Sequence, residues 1–148
     1  MTESLDSEAA PGSPTDAPAP PRPPCVLVAE DDQAMRNLLV EQLRKRGYDV
    51  IEAANGIEVL EILTKSLPGE NAIDLIVSDI RMPGVTGLEI LAGLRSSQWS
   101  TRVILITAFG DARTHAEAAR LGVLRVFDKP FKMADLITTV AGVLPPPA

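Results

Sequence analysis

One cysteine, Cys25, stands in 148 residues, so the chain can form neither an internal disulfide nor a zinc site of several thiolates. Basic residues are too few for a nucleic-acid surface: 14 Lys and Arg face 20 Asp and Glu, a net charge of -6. No apolar run approaches the roughly 20 residues that a membrane-spanning helix needs. A secretory leader is missing as well, since Glu3, Asp6 and Glu8 occupy the place of a basic start and no apolar stretch follows. These absences lead us to expect a soluble, non-exported, cytoplasmic protein that binds neither nucleic acid directly nor membrane.

What remains is enough for one domain: hydrophobic residues make up 45% of the chain. Residues 1–24 hold seven of the 13 prolines and almost nothing to bury, which predicts a disordered, Pro/Ala-rich tail. A domain is expected over residues 25–144, followed by a short Pro-rich end at 145–148. Inside it, five apolar runs alternate with five amphipathic segments. The runs are Cys25–Ala29, Tyr48–Ile51, residues 73–78, Val103–Ile106 and Val123–Phe127. Between them, Met35, Leu38, Leu39 and Leu43 recur at helical spacing, as do Ile57, Leu60, Leu63 and Leu67, the latter set closed by Pro68 and Gly69. Leu88, Leu91 and Leu94 mark a third helix, an Ala-rich segment after Gly110-Asp111 a fourth, and Met133 to Leu144 a fifth. Asp32 and Asp111 stand where helix N-caps belong. Strict strand–helix alternation with short connections predicts an α/β fold: a doubly wound, five-stranded parallel sheet in the order 2-1-3-4-5 with five helices, flavodoxin-like.

In such a sheet, ligands bind at the carboxyl ends of the strands. The polar residues predicted there are Glu30, Asp31 and Asp32 after the first strand, Asp79 after the third, Thr107 after the fourth and Lys129 after the fifth. Crowded carboxylates repel, and a hard divalent cation such as Mg2+ (or Mn2+) relieves that repulsion. With an ammonium and a hydroxyl alongside, the set suits a phosphoryl group, and Asp79 becomes a candidate nucleophile forming an aspartyl phosphate.

Four segments carry a resemblance: Val28-Ala29-Glu30-Asp31-Asp32, Ser78-Asp79-Ile80-Arg81-Met82-Pro83-Gly84, Ile106-Thr107-Ala108 and Asp128-Lys129-Pro130-Phe131. In this order and spacing, residues 25–144 resemble a response-regulator receiver domain of two-component signalling. The resemblance implies that Asp79 accepts phosphate from a phosphohistidine on a sensor histidine kinase or histidine phosphotransfer protein. It implies metal binding by Glu30, Asp31, Asp79 and the backbone carbonyl of Arg81, a switch hydroxyl at Thr107, and an ammonium at Lys129 that pairs with Asp79 or its phosphate. It also implies a cis bond before Pro130. Glu30 departs from the pattern, since Asp is more usual there, though its longer arm still carries a carboxylate. Val126 departs further: many receivers place there an aromatic ring that turns inward on activation, and Phe127 should face the other side of the strand. Arg81 and Phe109 lie two residues beyond Asp79 and Thr107, where the family sets phosphate lifetime.

Other residues have plainer expectations. His115 is expected to face solvent, Trp99 to cover the edge before the fourth strand, and Cys25 to be a small core residue. Arg113, Arg120 and Arg125 are expected on the face of helix 4, strand 5 and helix 5, where receivers dock partners. The leading expectation is a stand-alone, phosphorylation-controlled signalling module rather than an enzyme, with its output passed through a partner protein. The alternatives are a scaffold that is never phosphorylated and a phosphatase-like enzyme using Asp79. The latter typically needs a second acid two residues on, where this chain has Arg81.

Overall fold

The computed structural model describes residues 22–66, 72–108 and 110–147. Strand and helix alternate as β1 (Cys25–Ala29), α1 (Gln33–Lys45), β2 (Asp49–Ala53), α2 (Gly56–Lys65), β3 (Leu75–Asp79), α3 (Gly87–Ser96), β4 (Arg102–Thr107), α4 (Ala112–Arg120), β5 (Arg125–Asp128) and α5 (Met133–Val143). The strands form one parallel sheet in the order β2-β1-β3-β4-β5, the expected doubly wound arrangement. The strands β1 and β3 are buried along their whole length, which is why they read as unbroken apolar runs.

Alternation along the strands sends side chains to two cores. Val26, Val28, Val77, Ile104 and Ile106 meet Leu39 and Leu43 of α1 and Leu136, Ile137 and Val140 of α5 on one face. Leu27, Ile76, Val103 and Leu105 meet Val59 and Leu63 of α2, Leu91 and Leu94 of α3 and Ala118 of α4 on the other. Each fully buried Leu, Ile or Val contributes about 1.5–3 kcal/mol relative to exposure. The helices differ in what they bury: α5 buries three residues, whereas α4 buries Ala118 alone.

The starts of α1 to α4 are fixed by side-chain oxygens on otherwise unpaired N–H groups. Asp32 accepts from Ala34 and Met35, Asn55 from Glu58, and Asp111 from Thr114. Thr86 and Glu89 form a reciprocal capping box at α3. The Arg95 side chain clamps the far end of the molecule. Its guanidinium donates to the carbonyls of Trp99 and Thr101 in the α3–β4 connection and to those of Leu121 and Gly122 just after α4.

Several expectations need correction. In α2, Ile57 and Leu60 are 50% and 40% exposed, and Gly56, Val59 and Leu63 form the buried face instead. Gly56 explains the rotation, because its backbone presses so closely on the β3–α3 loop that only a residue without Cβ fits there. Likewise Leu38 of α1 is exposed and Val40 takes its place in the core. Tyr48 precedes β2 rather than opening it, and is buried with its hydroxyl donating to the Leu144 carbonyl. The strand β3 runs on through Asp79, and β5 begins at Arg125 rather than Val123. Residues 1–21 of the expected tail, the helix-ending Leu67, Pro68 and Gly69, and Phe109 lie outside the described residues. Among the described residues, no helix is long and apolar enough to cross a membrane.

Candidate functional site

Register brings the site together. Ala29 of β1 sits opposite Ser78 of β3, Asp79 opposite Ile106, and Thr107 of β4 opposite Asp128 of β5. Glu30, Asp79 and Thr107 therefore leave the sheet side by side at its carboxyl edge, all buried, while Asp31 is exposed at the rim. Ser78, also buried, turns its hydroxyl to the Asp79 carbonyl and so keeps a polar group off the apolar face beside it.

The loops then aim the charges. Asp79 Oδ1 accepts from the Arg81 N–H at 2.9 Å, and Glu30 Oε2 accepts from the Asp32 N–H at 3.2 Å. Arg36, one turn into α1, donates to the Glu30 carbonyl at 2.8 Å and reaches Glu52 on β2 at 3.4 Å, holding the acidic loop from behind. Lys129 is anchored by its own N–H, which donates to the Thr107 carbonyl at 2.7 Å, and the Lys129–Pro130 bond is cis as expected. Its Nζ lies 2.7 Å from Asp79 Oδ2 and 3.3 Å from Glu30 Oε1. One ammonium thus bridges two buried carboxylates.

The electrostatics follow from burial. Desolvation pushes the Glu30 carboxyl up to about 7, the nearby Asp79 carboxylate adds to the rise, and the Asp32 N–H and Lys129 oppose it. Burial works against the Lys129 ammonium too, but the hydrogen bond and charge of Asp79, with Glu30 behind them, hold it above its ordinary value. Because folded Glu30 keeps its proton where the unfolded chain loses it, its contribution to stability is fully present below about pH 4.5 and is lost as pH rises through about 7. Without added metal, the urea midpoint of the wild type is expected to fall between pH 5 and pH 8. Glu30→Gln, which cannot ionise, should remove that decline; an equal decline in both proteins would contradict the assignment.

Oxygen atoms of Glu30, Asp31 and Asp79 all lie within 4.8 Å of one another. This is a set of hard donors, two of them buried, and it fits a hard divalent cation such as Mg2+. A shallow cleft lined by Asp31, Arg81, Met82, Pro83 and Thr86 runs beside it and leaves the acidic group approachable from solvent.

The structure also places the remaining candidates. Val126 packs partly buried on the α2–α3–α4 side of the sheet, and Phe127 is buried on the other, as the alternation predicts. Arg125 stacks over the Phe127 ring and donates to Thr139 of α5, so it ties β5 to α5. Arg113 is exposed, and Arg120 pairs with Glu117 within α4. Cys25 is buried, and desolvation pushes its thiol up, away from reactivity. Trp99 is half-buried against the core below β4. His115 is partly exposed at the surface, in line with expectation, but it also makes a contact that was not expected: its Nε2 lies 3.0 Å from Oδ1 of Asp128. Periodicity could not foresee this contact, which joins residues of two elements through their loop geometry. Arg36 was also missed; the one available signal is a basic residue a single turn beyond an acidic run.

Comparison with known proteins agrees with this geometry. Residues 26–141 match the family model of the response regulator receiver domain. Sporulation initiation phosphotransferase F of Bacillus subtilis is 37% identical over 120 residues, which cover 81% of this chain and 93% of that protein. Sensor kinase CckA of Brucella abortus is 38% identical over 122 residues, 80% of this chain but only 12% of that much longer protein. Among solved structures, the response regulator TrrA from Thermotoga maritima, in complex with Mg(2+)-BeF, superposes with a TM-score of 0.70 at 30% identity, covering 82% of this chain and 99% of that one. This chain therefore belongs to the response regulator receiver domain family.

Proposed function

We propose that residues 25–144 act as a phosphoacceptor in a two-component or phosphorelay system. An Asp79 carboxylate oxygen attacks the phosphorus of a phosphohistidine on a sensor histidine kinase or histidine phosphotransfer protein. The bond to the donor imidazole breaks as the aspartyl phosphate forms. Lys129 leaves its ion pair with the free carboxylate and neutralises a phosphoryl oxygen, and Thr107 donates its hydroxyl to another. Glu30, Asp31, the Asp79 carboxylate and the Arg81 backbone carbonyl would hold Mg2+ or Mn2+, which when bound supplies positive charge beside those oxygens. The phosphorylated surface then controls a partner protein, through the face formed by α4, β5 and α5. These partners imply a cytoplasmic signalling module that touches neither nucleic acid nor membrane.

The observation that supports this reading most is Lys129 Nζ, 2.7 Å from Asp79 Oδ2 beside an acidic group that needs a cation. A phosphatase-like enzyme would want an acid two residues beyond Asp79, and Arg81 stands there. The test is incubation with acetyl phosphate and Mg2+ followed by intact mass, with beryllium fluoride binding in parallel. Wild type should gain one phosphoryl adduct and Asp79→Ala none. If wild type gains no adduct and binds no beryllium fluoride, the phosphoacceptor role is lost. Rapid turnover of a phosphate ester through Asp79 would favour the enzyme.

A further inference from the structure

We propose that His115 and Asp128 form a latch holding α4 against the strand end that carries Lys129, and that opening this latch passes the event at Asp79 to the α4 surface. The first half concerns the resting protein alone; only the second half rests on the phosphoacceptor reading. The contact is a 3.0 Å hydrogen bond between His115 Nε2 and Asp128 Oδ1, and Asp128 is the residue immediately before Lys129. Among the described residues, the other side-chain hydrogen bonds of α4 stay within the helix and its cap: Asp111 to the Thr114 N–H, and Arg120 to Glu117. With Ala118 its single buried residue, α4 has little apolar area to hold it. A single polar contact near its N-terminal end can therefore decide its position.

The second observation is the volume around the latch. A Cβ built on Gly110 would lie 2.1 Å from Asp128 Oδ1, 2.8 Å from His115 Nε2 and 2.8 Å from Thr107 Cγ2. Four groups thus converge so closely that a methyl would enter only if the side chains moved: the backbone of Gly110, the imidazole, the carboxylate and the methyl of Thr107. Thr107 is also opposite Asp128 in the β4–β5 register, and its carbonyl accepts the Lys129 N–H. A turn of the Thr107 side chain toward a phosphoryl oxygen, with Lys129 moving alongside, changes the packing on which the His115–Asp128 geometry depends. Packed junctions of this kind rearrange between discrete states rather than stretch. Val126 has no ring with which to fill the space, so here a polar pair makes the connection that an aromatic residue makes in many receivers.

A half-exposed polar contact is weak, and that suits a switch: small differential stability is enough to shift two populations. If the latch belongs to the resting arrangement, breaking it favours the phosphorylated arrangement. His115→Ala and Asp128→Ala are each expected to tighten beryllium fluoride binding in Mg2+ by about two- to fivefold, with the double variant no tighter than either single one. In the unphosphorylated proteins, amide exchange across residues 112–120 should accelerate in all three, leaving β1 and β3 unchanged. His115→Gln, which keeps a donor in reach of Asp128, should restore wild-type values. Additive effects of the two alanines, or unaltered α4 exchange, would overturn the latch. If wild type binds no beryllium fluoride yet α4 loosens non-additively, the phosphoacceptor reading and the signalling half fail together, and the resting tether stands.

Discussion

Lys129→Ala is expected to accept phosphate from acetyl phosphate about 10²–10³-fold more slowly than wild type, the usual cost of removing one preorganised charge from a transition state. The geometry argues for the full effect. Lys129 Nζ sits 2.7 Å from Asp79 Oδ2, and its backbone is fixed by the bond to the Thr107 carbonyl, so only the ammonium has to shift from the carboxylate to the incoming group. A time course of intact mass measures it; slowing of less than tenfold would mean that the ammonium is not aimed at the transferred group. The fold should survive, because Glu30 already titrates near 7 and can take up a proton once the cation is gone. The stability lost on substitution should accordingly be smaller at pH 6 than at pH 8. Phosphorylated Lys129→Ala should also fail to change partner affinity, since the lysine links Asp79 to β5 and its neighbours.

Gly56→Ala is expected to destabilise the domain by about 2–3 kcal/mol, an overpacking cost. The added methyl would stand 2.0 Å from the Val85 carbonyl oxygen and 2.7 Å from the Val85 Cβ. Backbone cannot rotate aside as a long side chain can, so either α2 lifts from β2 and β1 or the Pro83–Val85 loop is pushed outward. The fall in Tm should be on the order of 10 °C. Because that loop continues directly from Arg81, Mg2+ affinity should drop with it. A shift of less than ~2 °C would show that the loop yields without strain. Gly93→Ala, where a methyl meets nothing within 4 Å, is the matched control and should be neutral or slightly stabilising.

Much of this was legible in the chain because both its signals are short-range. Runs such as Leu75-Ile76-Val77 must be buried on both faces, and alternation with helices leaves one common sheet order, so the sequence alone places the strand ends and their polar residues. Local rules worked for caps too: Asp32 and Asp111 cap as their positions suggest. The rest depended on how helices rotate. Ile57, Leu60 and Leu38 fit a helical stripe as well as Val59 and Val40 do, and hydrophobicity does not say which stripe faces inward. In α2 the choice is made by a steric detail, the close approach of Gly56 to Val85. Contacts from helix side chains to the strand ends were equally hidden. Arg36 to the Glu30 carbonyl and His115 to Asp128 join residues that share no periodic relation.

The Arg95 clamp bears on how a signal leaves the domain. By gripping the carbonyls of Leu121 and Gly122, it pins the far end of α4 to the α3–β4 connection. The helix is nine residues, so its other end lies about 13 Å away from that grip. Any displacement of α4 is then a swing about a fixed fulcrum, greatest at Asp111 and smallest at Arg120. Under the proposed switch, a small shift beside Thr107 would be magnified along the exposed surface around Arg113, and a partner reading that end would sense an angle rather than a translation.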